Sequence, residues 1–335
     1  MSQRNCFASI SRRQFLCAAV VGCAMTVMAP QVVAQAAPLR VGFIVGIESV
    51  PMYVMQARRA ELETRLGFPI KWMPYLNTND QLTAFRTGEI DIVEGGTSAF
   101  AQLHAAGTPL RVVRGYHNLA FKILVHKDTP FSGIKDLKGK RIGVASLSGS
   151  SYVGTAVVLR ANGIDPKADA QIITAAPTNL IASLETKRVD AITLWDPYVT
   201  QALRSGNLKV ALDVRDVYRK NFKQDFLQTA FAVPAASLEA NRERIRKFLA
   251  AMSEAIEFTI KEPDQANRMA LSAGRETMKL SPEELQEARR SFEDVWVRQE
   301  LNAPMIADIQ GSFDRMQELG LFKQRVDVAS FWGAP

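Results

Sequence analysis

A chain of 335 residues, 47% hydrophobic and 22% charged, can bury most of its unfolded surface but exceeds the usual size of one core, so two lobes are expected. Its formal charge of +7 includes Arg4, Arg12 and Arg13 in an opening segment without acids; the remainder is mildly basic and forms no Lys/Arg stripe, which argues against a nucleic-acid partner. Cys6, Cys17 and Cys23 all fall in that opening segment, so its removal would leave no thiol for disulfides or cysteine catalysis.

The opening segment reads as a targeting signal. Ser11-Arg12-Arg13-Gln14-Phe15-Leu16 precedes an apolar stretch that runs to Ala29, and Ala34-Gln35-Ala36 supplies small residues where a signal peptidase cuts. The pattern resembles a twin-arginine export signal over 1–36, removed after Ala36. A chance arginine pair ahead of an ordinary secretory signal leads to the same compartment. Val20-Val21-Gly22-Cys23 is similar to a lipoprotein cleavage box, and acylation of Cys23 would add a lipid anchor. No later run reaches the roughly 18 apolar residues that span a bilayer, so a soluble periplasmic protein is expected.

Beyond the leader, short apolar runs alternate with helical patterns. Strands are predicted over 39–45, 70–73 and 90–93, with helices over 52–66, 81–87 and, after Glu94-Gly95-Gly96-Thr97-Ser98, on to Ala106. A strand over 110–114 leads to Gly115-Tyr116-His117-Asn118, read as a turn and the first crossing between lobes, and then to a strand over 121–126. The second lobe repeats the scheme: strand 141–145, a Gly/Ser loop over 146–151, a helix to Asn162-Gly163, strand 171–173, helix 178–187, and strands 189–194 and 208–212. A strand over 229–233 returns to the first lobe, and from Ser237 onward the pattern is almost all helix, packed outside that lobe. Ser281-Pro282-Glu283-Glu284 is a helix start with its cap, and Phe292 and Met316 read as core. Phe85 to Ile92 and Leu184 to Ala191 align without a gap at an offset of 99, which supports two similar α/β lobes.

In parallel sheets ligands sit at the carboxyl ends of the strands, which makes Glu48, Ser49, Thr97 and Ser98 cleft candidates in the first lobe. In the second, Gly149, Ser150 and Ser151 open a helix whose free N–H groups suit an acidic head, and Trp195 and Asp196 close a strand with an indole beside a carboxylate. Asp196 precedes Pro197, so it either caps the next helix or meets an N–H-bearing group of a ligand. Tyr53 and Tyr116 are weaker candidates. Glu94, at a strand end beside Gly95-Gly96, is either a buried acid paired with Arg111 or Arg114 or a ligand contact, because an uncompensated buried carboxylate is costly. His104, His117 and His126 share no metal-ligand spacing, so no metal or other cofactor is expected.

Several motifs, in order, carry a resemblance: Gly88-Glu89-Ile90-Asp91-Ile92 with Gly96, Asp136-Leu137-Lys138-Gly139-Lys140-Arg141-Ile142-Gly143-Val144, Gly149-Ser150-Ser151, Val189-Asp190-Ala191, Trp195-Asp196-Pro197-Tyr198 and Glu318-Leu319-Gly320-Leu321. Over 39–327 the chain resembles the periplasmic solute-binding proteins of ABC importers, of the sulfonate, taurine and nitrate type. The resemblance implies an α/β, two-lobed periplasmic-binding-protein fold of type II, each lobe a mostly parallel sheet flanked by helices, joined by two crossover strands. Lobe 1 is then 37–118 plus 229–335 and lobe 2 is 119–228. It further implies a non-catalytic, monomeric receptor that holds a small organic acid, such as an aliphatic sulfonate or taurine, in the interlobe cleft and delivers it to an ABC permease. An aromatic acid or heteroaromatic vitamin precursor is the alternative ligand. An enzyme on the same fold, or a sensor for a membrane receptor, is the alternative role. Glu94 and Glu48 depart from the family pattern by placing acids near the mouth of the cleft.

Overall fold

The computed structural model describes residues 37–147, 149–290, 292, 294–322 and 325–335. The leader, with its paired arginines and Cys23, and Ser148 of the Gly/Ser loop lie outside the described residues.

The first apolar run forms β1 (Leu39–Ile44), which leads through a short turn into α1 (Val50–Ala57). The single helix expected over 52–66 is in fact two, α1 and α2 (Arg59–Leu66), which meet at Arg58 with φ −100° and ψ 24°. The break lets two unlike segments find their own environments: α1 buries six of its eight residues, whereas the charged α2 buries only Leu62 and Leu66. There follow β2 (Ile70–Tyr75), α3 (Thr78–Arg86), β3 (Ile92–Gly96), α4 (Thr97–Ala105) and β4 (Leu110–Asn118). The chain then crosses to β5 (Lys122–His126), β6 (Arg141–Val144), α5 (Ser150–Ala161), β7 (Gln171–Thr174), α6 (Pro177–Glu185), β8 (Ala191–Leu194), α7 (Tyr198–Leu203), β9 (Leu208–Asp213) and α8 (Val214–Phe222). It returns in β10 (Leu227–Pro234) and ends in α9 (Ala235–Lys261), α10 (Pro263–Ala273), α11 (Arg275–Met278), α12 (Pro282–Arg289) and α13 (Ala303–Glu318).

The strands form two five-stranded sheets with matching layouts, β2-β1-β3-β10-β4 in lobe 1 and β7-β6-β8-β5-β9 in lobe 2. In each, four strands run in one direction and the fourth position is filled by a strand antiparallel to both its neighbours, β10 between β3 and β4, and β5 between β8 and β9. The repeated segment accounts for a repeated clasp. Asp91, just before β3, accepts hydrogen bonds from the Arg40 N–H (2.8 Å), Nε (3.0 Å) and Nη2 (2.5 Å) on β1. Asp190, just before β8, accepts the same three from Arg141 on β6, at 2.8, 3.1 and 2.8 Å. Each bidentate clasp ties adjacent parallel strands at the end away from the cleft.

Three further features differ from the sequence reading. Gly115-Tyr116-His117-Asn118 is no turn: β4 runs on to Asn118, and the crossing lies between it and β5. Gly115 serves packing there, since a Cβ would stand 3.2 Å from the side chain of Leu227 on the returning strand. The helix α8, capped by Asp213 through the Arg215 N–H at 2.8 Å, had no place in the sequence reading, because its hydrophobic face is short and its remainder charged. The C-terminal helices do not all pack on lobe 1. Helix α9 lies on α1, β4 and β10, but α13 packs on α5 of lobe 2, and the Ser312 hydroxyl meets the Tyr218 hydroxyl of α8 at 2.8 Å. The capping box at Ser281 is present as expected, with the Glu284 N–H donating to Ser281 Oγ at 3.2 Å and the Ser281 N–H to the Glu284 carboxylate at 2.7 Å.

Candidate functional site

Helices α4 and α5 both start where a parallel strand ends, after β3 and β6, and both are preceded by a glycine with extended backbone, Gly96 and Gly149. Glycine has no side chain to cap the first turn, so the leading N–H groups of both helices stay available, at the positive end of each helix dipole. The two starts come together across the cleft: a Cβ on Gly96 would stand 3.0 Å from Ser150 Oγ. Between them lies a cavity of about 180 Å³ bordered by both lobes.

Of the residues singled out from sequence, Glu48, Glu94, Ser98, Gly149, Ser150, Ser151 and Trp195 border this cavity. Trp195 stands edge-on to Phe121, 6.0 Å between centroids, and to Tyr198 at 5.3 Å, so its ring is fixed as part of the wall. Ser49, Thr97, Tyr116 and Asp196 are buried beside the cavity but do not border it. Main-chain acceptors claim their hydroxyls: Ser49 donates to the Ile44 carbonyl, Thr97 to the Leu227 carbonyl at 2.9 Å, and Tyr116 to the Glu48 carbonyl. Asp196 is not the N-cap of α7, which is Pro197; one residue before it, its carboxylate accepts from the Thr200 N–H at 3.1 Å and hydroxyl at 2.7 Å. Tyr53 is spent on Thr277 at 2.7 Å.

Glu94 has neither expected arginine. Arg111 donates to the Ser330 carbonyl at 3.1 Å, and Arg114, two strands away across β10, to the Val297 carbonyl at 3.1 Å and to Ser253. The carboxylate of Glu94 receives the Ile44 N–H at a long 3.4 Å. Burial pushes its pKa up to about 7 against the opposing pull of that N–H and of the Thr229 hydroxyl. Glu48 is pushed further, to about 8, first by burial and then by the charges of Glu94 and Asp196. Its main chain is clamped, with the Tyr116 hydroxyl and the Trp296 indole N–H (3.2 Å) both donating to its carbonyl. Its side chain fills the space that glycine leaves at Gly46, where a Cβ would overlap the carboxylate.

Sequence reasoning missed Thr78, His117, Phe121, Gln228, Thr229 and Phe292 on the border of the cavity. His117 was placed in a turn, and Gln228 and Thr229 sit on β10, whose pairing of Thr229 with Gly96 brings the returning strand to the mouth of the site. Phe292 read as core, and it does pack on His117 (5.8 Å) and Trp296 (5.7 Å) while one side borders the cavity. The His117 Nδ1 lies 2.9 Å from the Asn118 carbonyl, and burial lowers its pKa to about 4, so the ring is neutral with its proton on Nδ1.

What the arrangement can do is bind. Paired helix starts supply donors for an acidic head, aromatic rings supply walls, and the acids and His117 supply acceptors. Among the described residues no group of three or more His, Cys, Asp and Glu is placed to hold a metal ion, and no helix is long and apolar enough to cross a membrane.

Comparison with known proteins agrees with this architecture. A putative aliphatic sulfonates-binding protein of Escherichia coli (strain K12) is 28% identical over 240 residues, 70% of this chain and 72% of its own. The crystal structure of the periplasmic aliphatic sulphonate binding protein SsuA from Escherichia coli superposes with a TM-score of 0.76 at 24% identity, covering 89% of this chain and 97% of that one. The alkanesulfonate-binding protein SsuA from Xanthomonas axonopodis pv. citri, bound to MOPS, gives 0.75 at 21% identity over 90% of this chain and 100% of its own. The NMT1/THI5 like profile matches residues 67–266, from just past α2 through β2 to β10 and into α10, and the chain therefore belongs to the NMT1/THI5-like family and has the two-lobed fold of the periplasmic binding proteins.

Proposed function

We propose that this chain is the extracytoplasmic substrate-binding component of an ABC importer, and that it captures a small organic acid of the aliphatic sulfonate type between its lobes. The observation that carries this reading is the convergence of two uncapped helix starts, at Gly96 and Gly149, on one cavity bordered by both lobes. An anion held there contacts both lobes at once and favours the closed arrangement, which is how ligand binding becomes a signal to a permease. The relatives' names support the sulfonate class and the periplasmic location, and the leader over 1–36 supports export. The role asks for no catalysis and no cofactor, only a monomer that presents its closed face to an inner-membrane permease. The rings of Phe121, Trp195 and Phe292 favour a flat or aromatic acid as the second reading.

A thermal-shift series on the purified protein tests the proposal, using alkanesulfonates of increasing length beside aromatic carboxylates and sulfonates. A ligand at 100 times its Kd stabilises by about 2.7 kcal/mol, a clear rise in Tm. A panel without any shift, or turnover of any member, would overturn the reading.

A further inference from the structure

The lobe 1 side of the cavity is chemically the opposite of the helix starts. Glu48, 8% exposed, and His117, 1% exposed, border the cavity, and Glu48 Oε2 and His117 Nε2 are both buried without a hydrogen-bond partner among the described residues. Because His117 Nδ1 is committed to the Asn118 carbonyl at 2.9 Å, the other nitrogen of the ring carries a lone pair and can only accept. Glu94, beside them, receives a long bond from the Ile44 N–H at 3.4 Å. No Lys or Arg is among the described residues that border the cavity. A ligand that was only an anion with an apolar tail would therefore leave His117 Nε2 unmet and would oblige the buried carboxyls to keep their protons, with no cation to offset them if they ionised.

We propose that Glu48, Glu94 and His117 form a subsite for a nitrogen centre bearing N–H groups, so that the ligand joins an anionic head to an amine or amino-aromatic group. The inference rests on the cleft being the ligand site. The anionic end meets the starts of α4 and α5, and the nitrogen end donates to Glu48 Oε2 and His117 Nε2. Such a ligand meets the His117 Nε2 lone pair and, as Glu48 gives up its proton, the Glu48 carboxylate, to which it supplies a positive charge. The groups that face Glu48 are Glu94 from β3, Asp196 after β8, Tyr53 from α1, Tyr116 from β4 and Tyr198 from α7, all acidic or neutral. Before ligand arrives the carboxyls hold protons near neutrality, so a cationic nitrogen displaces protons as it binds.

Isothermal titration calorimetry on the whole purified protein tests the proposal with matched pairs: 2-aminoethanesulfonate against ethanesulfonate, 4-aminobenzenesulfonate against benzenesulfonate, and β-alanine against propionate. The expected result is binding at least about tenfold tighter for the amino member of a pair, with an enthalpy that changes with the ionisation enthalpy of the buffer. Glu48→Gln should remove that advantage and the buffer dependence while circular dichroism shows a native fold; Glu94→Gln should weaken both. An amino preference confined to the carboxylate pair would keep the nitrogen subsite and sink the sulfonate assignment. Equal or tighter binding of the des-amino members, an amino preference that survives Glu48→Gln, or no binding by any of the six would overturn the subsite.

Discussion

Replacing Glu48 by Gln isolates the cost of one buried acid. In the folded protein Glu48 keeps its proton to about pH 8, whereas an unfolded chain releases it near pH 4.5. Between those values the folded state binds the extra proton, so stability falls as the pH rises through the interval and levels off above pH 8. The interval spans ~3.5 pH units, a ceiling of ~5 kcal/mol at 1.36 kcal/mol each. Water entering an opened cleft and the coupling to Glu94 reduce that ceiling, and a loss of about 2–3 kcal/mol between pH 5 and pH 9 is expected for the native protein. Gln keeps the shape and carries no charge, so the variant should lose that much less over the same range and be the more stable protein at pH 9. Urea unfolding of both proteins at pH 5, 7 and 9 measures the difference. Stability profiles that run parallel from pH 5 to pH 9 would refute the burial argument for Glu48.

Further substitutions probe closure and the scaffold. Gly96 has φ −64° and ψ 130°, open to any residue, so Gly96→Val should leave the melting temperature of the unliganded protein within about 2 °C, while its side chain pushes on Ser150 and weakens ligand binding at least about tenfold; tight binding by this variant in a native-like fold would show that the lobes need not meet there. Ser150→Trp fills the space at the start of α5 and should abolish binding, and an unchanged affinity would place the ligand elsewhere. Asp190→Asn breaks the clasp on Arg141 and should lower the midpoint of urea unfolding, with Asp91→Asn lowering it in the other lobe; midpoints that do not move in either variant would show that the clasps add little to either sheet.

The alternation of strand and helix, and with it the two lobes, could be read from period and punctuation because both are local. The acids of the duplicated clasp, Asp91 and Asp190, stand in the matched segments, but their partners Arg40 and Arg141 lie on other strands and only the fold pairs them. The start of α5 was legible because it is local too: a strand followed by a Gly/Ser loop and a helix leaves the first N–H groups of that helix without a side-chain cap. Other features depended on partners distant in sequence. Gly115 reads as a turn until Leu227 is known to press on it, and β10 meets β4 with several register shifts that no local pattern announces. Thr97 follows a strand end as read, whereas Tyr116 lies within β4, and the direction of both hydroxyls follows from a carbonyl supplied by another element. At His117 one bond to the neighbouring Asn118 carbonyl decides which nitrogen is left bare, and no sequence period announces it.

The exchanged strands make the two lobes unequal in the order they can be finished. Every strand of the second sheet lies between Lys122 and Asp213, so that sheet can close as soon as this stretch is available. The first sheet begins much earlier, at Leu39, yet keeps an open edge on β3 until β10 arrives, and the edge presents unpaired main-chain groups for as long as the chain beyond Leu227 is missing. The lobe that starts first is therefore completed last, and a truncation before Leu227 strands β4 without the neighbour that joins it to the rest. Any chaperone or export step that acts on the unfinished chain meets that edge.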